Sequence, residues 1–355
     1  MKKTLVLADR LSGPALWLVA LANLLLVAAF VATLLLIGGQ AHAAAPACVG
    51  KDMLAEMAAG EPARLEAIKA EAAKTRSGAG RLWKIEKEGL EPSFLFGTMH
   101  MTDPRVVTLP PQAQAAFDRS TTVVIETTDV LDQAKMAASL LSSPDLMMFT
   151  DKTTLTSLIP PDDLKTVEDG LKERGIPLAS VIKMKPWMLS AMISLPACEL
   201  ARKAAGEPML DINLAKEAQA AGKELGGLET AKSQLEAMAS LPIEFHVEGL
   251  VETLKLGKRV DDVIETMIVI YTNGDTGLFF PFMRAAIPAA TTGTDGYAAF
   301  EEKMIVARNG VMATNAEPFL AKGKAFIAVG AMHLPGDDGV IERLRRDGYT
   351  VTRAD

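Results

Sequence analysis

The chain has 355 residues, a formal net charge of −7, 49% apolar residues, two cysteines and four histidines. It has no basic cluster, so nucleic-acid binding lacks electrostatic support. It is long enough to bury a substantial core, as one large domain or two.

The chain opens with Lys2, Lys3 and Arg10, followed by an uncharged apolar run over 15–37 and the small-residue stretch Ala41-His42-Ala43-Ala44-Ala45. A positive start, an apolar segment and an A-x-A exit describe a secretory signal peptide, cleaved after Ala43 or Ala45. The apolar run is also long enough to cross a bilayer, which leaves an uncleaved signal anchor as the alternative. Either way, 1–43 directs export and 44–355 is the exported body, expected in the periplasm or anchored to the inner membrane facing it. Pro46, two residues before Cys48, does not suit lipoprotein processing. Both cysteines lie in the exported part. An oxidising compartment favours a Cys48–Cys198 disulfide, with two free thiols as the alternative.

A charged, Ala-rich helical stretch runs from Met53 to about Ala73. Arg81 to Glu86 then alternates as a strand does, and Gly89 to Pro92 reads as a turn. Ser93-Phe-Leu-Phe96 is a short buried strand entering Gly97-Thr98-Met99-His100. After Pro110-Pro111, a short helix over Gln112–Arg119 leads to the β-branched strand Thr121–Ile125, which ends at Glu126. The Met- and Leu-rich stretch of about 130–220 reads as a helical insert whose apolar residues pack a core or cap. Lys223 to Leu228 is a strand ending at Glu229, and a helix carrying Gln234 follows.

The same order returns near the C-terminus. A helix over Phe300–Ala321, with Gly323 as its C-cap, precedes the strand Ala325–Val329, which enters Gly330-Ala331-Met332-His333. A loop, a helix from Val340 to Arg346 and the strand Tyr349–Thr352 complete the unit. Two strand–GxxH–helix–strand repeats predict an α/β fold with a central, mostly parallel or mixed sheet and a helical insert between the repeats. Strands joined through helices imply parallel pairing of neighbours and right-handed crossovers. Both histidines would then stand at the carboxyl ends of strands, the edge where open α/β sheets bind ligands.

His42 lies in the export signal. His246 lacks a partner motif and reads as a packing or surface residue. His100 and His333 share the Gly-x-Met-His pattern. A lone histidine is commonly satisfied by backbone, but repetition of the motif argues for function. Imidazole ligates divalent transition metals, and two histidines with one carboxylate leave open positions for water. Glu126 and Glu229, each at a predicted strand end, are the carboxylate candidates for ligand or general base, with solvated strand-end residues as the alternative. Arg308-Asn309 could receive a substrate carboxylate or a developing oxyanion, although a surface arginine fits the sequence equally well. The chain has no phosphate-binding Gly-rich loop, Gly-x-Ser-x-Gly elbow or His-Glu-x-x-His motif.

The matching stretches are Leu82-Trp83-Lys84-Ile85, Phe94 to His100 with Leu109-Pro110, and Val124-Ile125-Glu126. Further matches are Gly227-Leu228-Glu229-Thr230 with Gln234, Arg308-Asn309, and Phe326 to Gly336 with Gly348-Tyr349. On these residues the chain resembles the TraB/PrgY/GumN family, to which the animal Tiki proteins are related. The resemblance spans nearly all of 44–355, which is therefore read as one TraB/GumN-like domain. It implies a fold akin to erythromycin-esterase-like and ChaN-like proteins. It also implies a Tiki-like metallopeptidase site in which His100, His333 and Glu126 hold Mn²⁺, Co²⁺ or Zn²⁺, with Glu229 and Arg308 in support. The substrate would be a peptide or a small molecule. Two alternatives stay open: a metal-independent His/Glu hydrolase of the esterase type, and a non-catalytic haem-, metal- or peptide-binding protein.

Overall fold

The computed structural model describes residues 48–355, apart from 133, 135, 137–140 and 288–293. Residues 1–43, read from the sequence as an export signal, and His42 among them, lie outside the described residues. Among the described residues, no helix is long and apolar enough to cross a membrane.

Six strands form one mixed sheet: β1 (Leu82–Glu86), β2 (Ser93–Thr98), β3 (Thr122–Ile125), β4 (Glu224–Gly227), β5 (Ala325–Gly330) and β6 (Thr350–Arg353). Their order is β4-β3-β5-β2-β1-β6. β4, β3, β5 and β2 are mutually parallel, whereas β1 runs antiparallel to both of its neighbours. The two Gly-x-Met-His strands lie side by side, with Thr98 opposite Gly330.

One expectation is corrected. Within each repeat the strands linked through the short helix are not sheet neighbours: β5 stands between β2 and β3, while β2 and β1 stand between β5 and β6; only β3 and β4, linked through the insert, pair directly. Pairing the two apolar strands β2 and β5 in the middle buries both on both faces, and so displaces each strand's chain successor outward.

Of the helices, those that frame the sheet and the insert are, in chain order, α1 (Met53–Gly60), α2 (Pro62–Ala72), α3 (Pro111–Arg119), α4 (Pro186–Ile193) and α5 (Ala197–Ala204). They continue with α6 (Leu210–Ala220), α7 (Ala231–Ala239), α8 (Ile243–Leu256), α9 (Arg259–Asn273), α10 (Ala307–Leu320) and α11 (Val340–Arg346). The charged N-terminal stretch is therefore two helices. Glu61 caps the end of α1, and Pro62, which lacks an amide hydrogen, opens α2.

Period-two alternation divides the core. Leu95, Ile327 and Val329 face one side, where Met312, Leu320 and Leu344 of α10 and α11 cover them. Phe96, Phe326 and Ala328 face the other, against Phe117 of α3 and Leu214 and Ala218 of α6. Phe326 sits between Phe96 and Phe117, with ring centroids 6.0 and 5.6 Å away. Burying a ring of this size contributes roughly 1.5–3 kcal/mol.

The insert is helical as expected, but it does not pack on itself alone. Val167, Leu171, Leu189 and Ile193 share one apolar cluster with Val247, Leu250 and Leu254 of α8, which follows β4. Cys48 is disulfide-bonded to Cys198 on α5, joining the start of the described chain to the insert.

Candidate functional site

The site assembles at the carboxyl edge of β2, β5 and β3. His100 follows β2 by two residues, His333 follows β5 by three, and Glu126 follows β3 directly. Because β5 lies between the other two, residues distant in sequence meet at one edge.

His333 is buried, with its Nδ1 2.7 Å from Asn309 Oδ1. The Asn309 Nδ2 group donates to the Asp338 carbonyl at 2.9 Å, so its oxygen must face the ring. Nδ1 therefore carries the hydrogen, and the bare Nε2 looks toward Glu126 Oε1 at 4.0 Å. Burial, together with the Arg308 and His100 charges, outweighs the nearby Glu126 carboxylate and holds the His333 pKa down at about 4.

Glu126 is 4% exposed and fully partnered. Its Oε1 accepts the Gly330 amide at 2.7 Å, and its Oε2 accepts Gln234 Nε2 at 2.9 Å and Arg308 Nη2 at 2.8 Å. Burial pushes this carboxyl up, but His100, His333, Arg308 and the Gly330 amide together bring it down to about 2. Gly330 lets the carboxylate approach closely: a Cβ on it would lie 3.1 Å from Glu126 Oε1, tighter than ordinary contact. The corresponding Gly97 lets its strand pack against the turn after β5, where a Cβ would meet Leu334 at 2.7 Å.

Glu229 lies beside this cluster, not beside either imidazole. Both of its oxygens are taken up by Arg308 Nε at 3.1 Å, and Oε2 also accepts Arg308 Nη2 at 2.7 Å and Gln234 at 3.2 Å. Arg308 thus bridges Glu126 and Glu229, and these carboxylates raise its pKa against the effect of burial. It enters from the first turn of α10, directly after a π-helical turn over Glu301–Val306. Such turns reset the facing of the residues that follow, here Arg308 and Asn309.

His100 is about half exposed, and its Nε2 stands 3.7 Å from Asp211 Oδ1. Burial of its surroundings opposes the charged ring, but Asp211, with help from Glu126, holds its pKa up at about 9. The sequence reading did not find Asp211. It lies in the first turn of α6, inside the stretch read as a packing insert, where no local pattern marks it. The Thr98 hydroxyl donates to its Oδ1 at 2.9 Å, while its buried Oδ2 has no hydrogen-bond partner.

The structure thus gathers His100, Glu126, His333, Arg308 and Glu229, and adds Asp211, Asn309 and Gln234. His246 stands apart on α8, buried and donating from Nε2 to the Met238 carbonyl at 3.0 Å, a packing role as read from the sequence.

Among the described residues, no three His, Cys, Asp or Glu side chains stand close enough to share a metal ion. The donor types nevertheless suit one. A bare imidazole nitrogen faces a carboxylate, a second imidazole faces another, and an orphaned carboxylate oxygen is buried between secondary elements. Three carboxylates against one permanent cation leave the cluster electronegative even with His100 protonated, which favours a cation.

The fold and this edge define an α/β protein with a two-histidine, carboxylate-rich site at the ends of parallel strands. The TraB/PrgY/gumN family model matches residues 81–353, and the chain belongs to that family. Metalloprotease TIKI1 of Danio rerio is 27% identical over 317 residues, covering 76% of this chain and 62% of that protein. Metalloprotease TIKI1 of Homo sapiens is 26% identical over 322 residues (77% and 61%). The Metalloprotease TIKI homolog of Nematostella vectensis is 24% identical over 321 residues (76% and 66%). The chain spans about three-fifths of the length of the first two. No solved structure matches it.

Proposed function

We propose that the chain is an exported, metal-dependent hydrolase, a peptidase in substrate class, whose body is a single domain over 44–355 behind an export segment over 1–43. The carrying observation is the convergence of His100 and His333 from adjacent parallel strands, with Glu126 at the end of the next strand, on the His333 side. Relatives named metalloproteases support the reaction class. A disulfide in a chain with only two cysteines supports the oxidising compartment, the periplasm or the outer face of the inner membrane.

In this reading His100 and His333, with Glu126 or Asp211, would hold Mn²⁺, Co²⁺ or Zn²⁺. Such an ion supplies a Lewis acid and a bound water of lowered pKa. The protein's own groups prepare the place for it. Asn309 fixes the His333 tautomer so that Nε2 is available as a lone pair, as outer partners of metal-binding histidines do. Arg308, held by Glu229, keeps Glu126 ionised. Asp211 keeps a carboxylate at the half-exposed side of the site, where a peptide has access to His100 and a proton can be received.

The test is metal analysis of the purified full chain equilibrated with Mn²⁺, Co²⁺ or Zn²⁺, alongside cleavage of a peptide library. We expect His100→Ala and His333→Ala each to lose bound metal and cleavage together. Metal content unchanged in both variants would reject the assignment.

The spacing of the donors favours one further reading. Asp211 stands 3.7 Å from His100, so this His–Asp pair, with the His100 ring deprotonated, would activate water directly, without metal. Hydrolysis that resists strong chelation but fails in Asp211→Asn would select it.

A further inference from the structure

Glu199 on α5 is fully buried, and a buried carboxylate is costly unless it is partnered. Its partners come from its own helix and from the turn that carries His100. The Thr102 amide donates to Oε1 and the Thr102 hydroxyl to Oε2, each at 2.8 Å. Arg202 Nη2 lies 3.0 Å from Oε2, and Lys203 Nζ lies 3.4 Å from Oε1.

The same two cations reach past the carboxylate to the turn. Arg202 Nε donates to the Thr102 hydroxyl at 3.1 Å, and Lys203 Nζ donates to the His100 carbonyl at 3.3 Å. The backbone is therefore held at His100 itself and again two residues later. The ring has no comparable restraint, since its nearest charged partner, Asp211, stands beyond hydrogen-bond length. Where the ring points is thus set by the turn, and the turn is set by α5.

The helix is anchored in turn. Cys198, adjacent to Glu199, is bonded to Cys48, and Arg202 Nη2 lies 3.3 Å from Cys48 Sγ. On the far side of the turn, Asp103 binds Arg105, which makes a two-point pair with Glu265 of α9 at 2.7 Å each. The turn is gripped from both ends.

We infer that Glu199 is the positioning residue of His100, clamping the turn from Met99 to Asp103, and that the Cys48–Cys198 disulfide fixes the helix from which it acts. Closure of the disulfide then completes the His100 half of the site, so that a chain still reduced before export carries a slack histidine. The inference rests on the proposed role of His100, and the experiment separates the two.

The full chain, its imidazoles labelled with ¹⁵N, is compared as wild type, Glu199→Gln and Cys48→Ser without added metal. Amide exchange over 99–104 should accelerate about tenfold in both variants, and the His100 ring signal should shift or broaden. The His333 ring, held by Asn309, should not move. Zn²⁺ alone, titrated into each protein, should bind roughly tenfold more weakly in the variants, the scale of losing a partner behind a ligand. Unchanged turn exchange and an unmoved His100 signal would overturn the clamp, as would equal loosening around His100 and His333. If Glu199→Gln does not fold, Arg202→Met with Cys48→Ser reads the same contacts. Zn²⁺ affinity surviving His100→Ala would strike the metal assignment alone, leaving the exchange and ring signals to judge the clamp.

Discussion

Arg308 Nη2 lies 2.8 Å from Glu126 Oε2 and 2.7 Å from Glu229 Oε2, so one nearly buried guanidinium is shared by two buried carboxylates. Removing one partner of a buried pair leaves uncompensated charge and costs about 3–5 kcal/mol. Arg308→Met should lose stability on that scale in denaturant unfolding at neutral pH. Glu229→Gln, which keeps an oxygen toward Arg308, should lose less. A loss below about 1 kcal/mol for Arg308→Met would show that the pair is not a structural element.

Gly330→Ala tests the close approach between Glu126 and the strand end. The added methyl would lie 3.1 Å from Glu126 Oε1, so the carboxylate must shift by a few tenths of an ångström and its bond to the Gly330 amide weakens. The backbone there has an ordinary negative φ, so no strain accompanies the change. The fold should persist with a stability loss of about 1 kcal/mol, the scale of one weakened hydrogen bond. Metal affinity should fall with it, and equal affinity would dissociate Glu126 geometry from the site.

Stability in metal-free buffer should fall on both sides of neutral pH. His333, depressed to about 4 in the fold, stays neutral where the unfolded chain takes up a proton, so stability falls as pH drops below about 6.5. His246, also depressed by burial, acts in the same direction. Glu126, lowered to about 2, adds a loss as pH falls below about 4.5 toward that value. His100 has the opposite sign: raised to about 9, its contribution is complete below about 6.5 and is lost as pH rises through about 9. In thermal unfolding over pH 4–10, His333→Gln should flatten the acid limb and His100→Gln the alkaline one. Unaltered limbs would contradict these assignments.

Metal binding near pH 7 should release close to one proton, from His100, because His333 already presents a neutral nitrogen. Calorimetry in buffers of differing ionisation enthalpy measures this directly. Release of no proton would mean that His100 is not displaced from its pairing with Asp211.

The sequence by itself determined the strands, the paired Gly-x-Met-His motifs, the family and the edge on which the histidines stand. These are local matters: period-two apolar runs, glycines at strand ends and a motif repeated in order. It also placed Glu126, Glu229 and Arg308 among the candidates, because strand ends and a polar pair in an apolar helix are visible one residue at a time. Tertiary structure alone decided which candidates touch. The strand order, set by burying β2 and β5 together, placed Glu126 near His333 and left Glu229 behind Arg308. Asp211 and Glu199 sat unremarked in a helical stretch because neither contributes to a local pattern. Each becomes significant only where the folded chain carries its helix against the turn that holds His100.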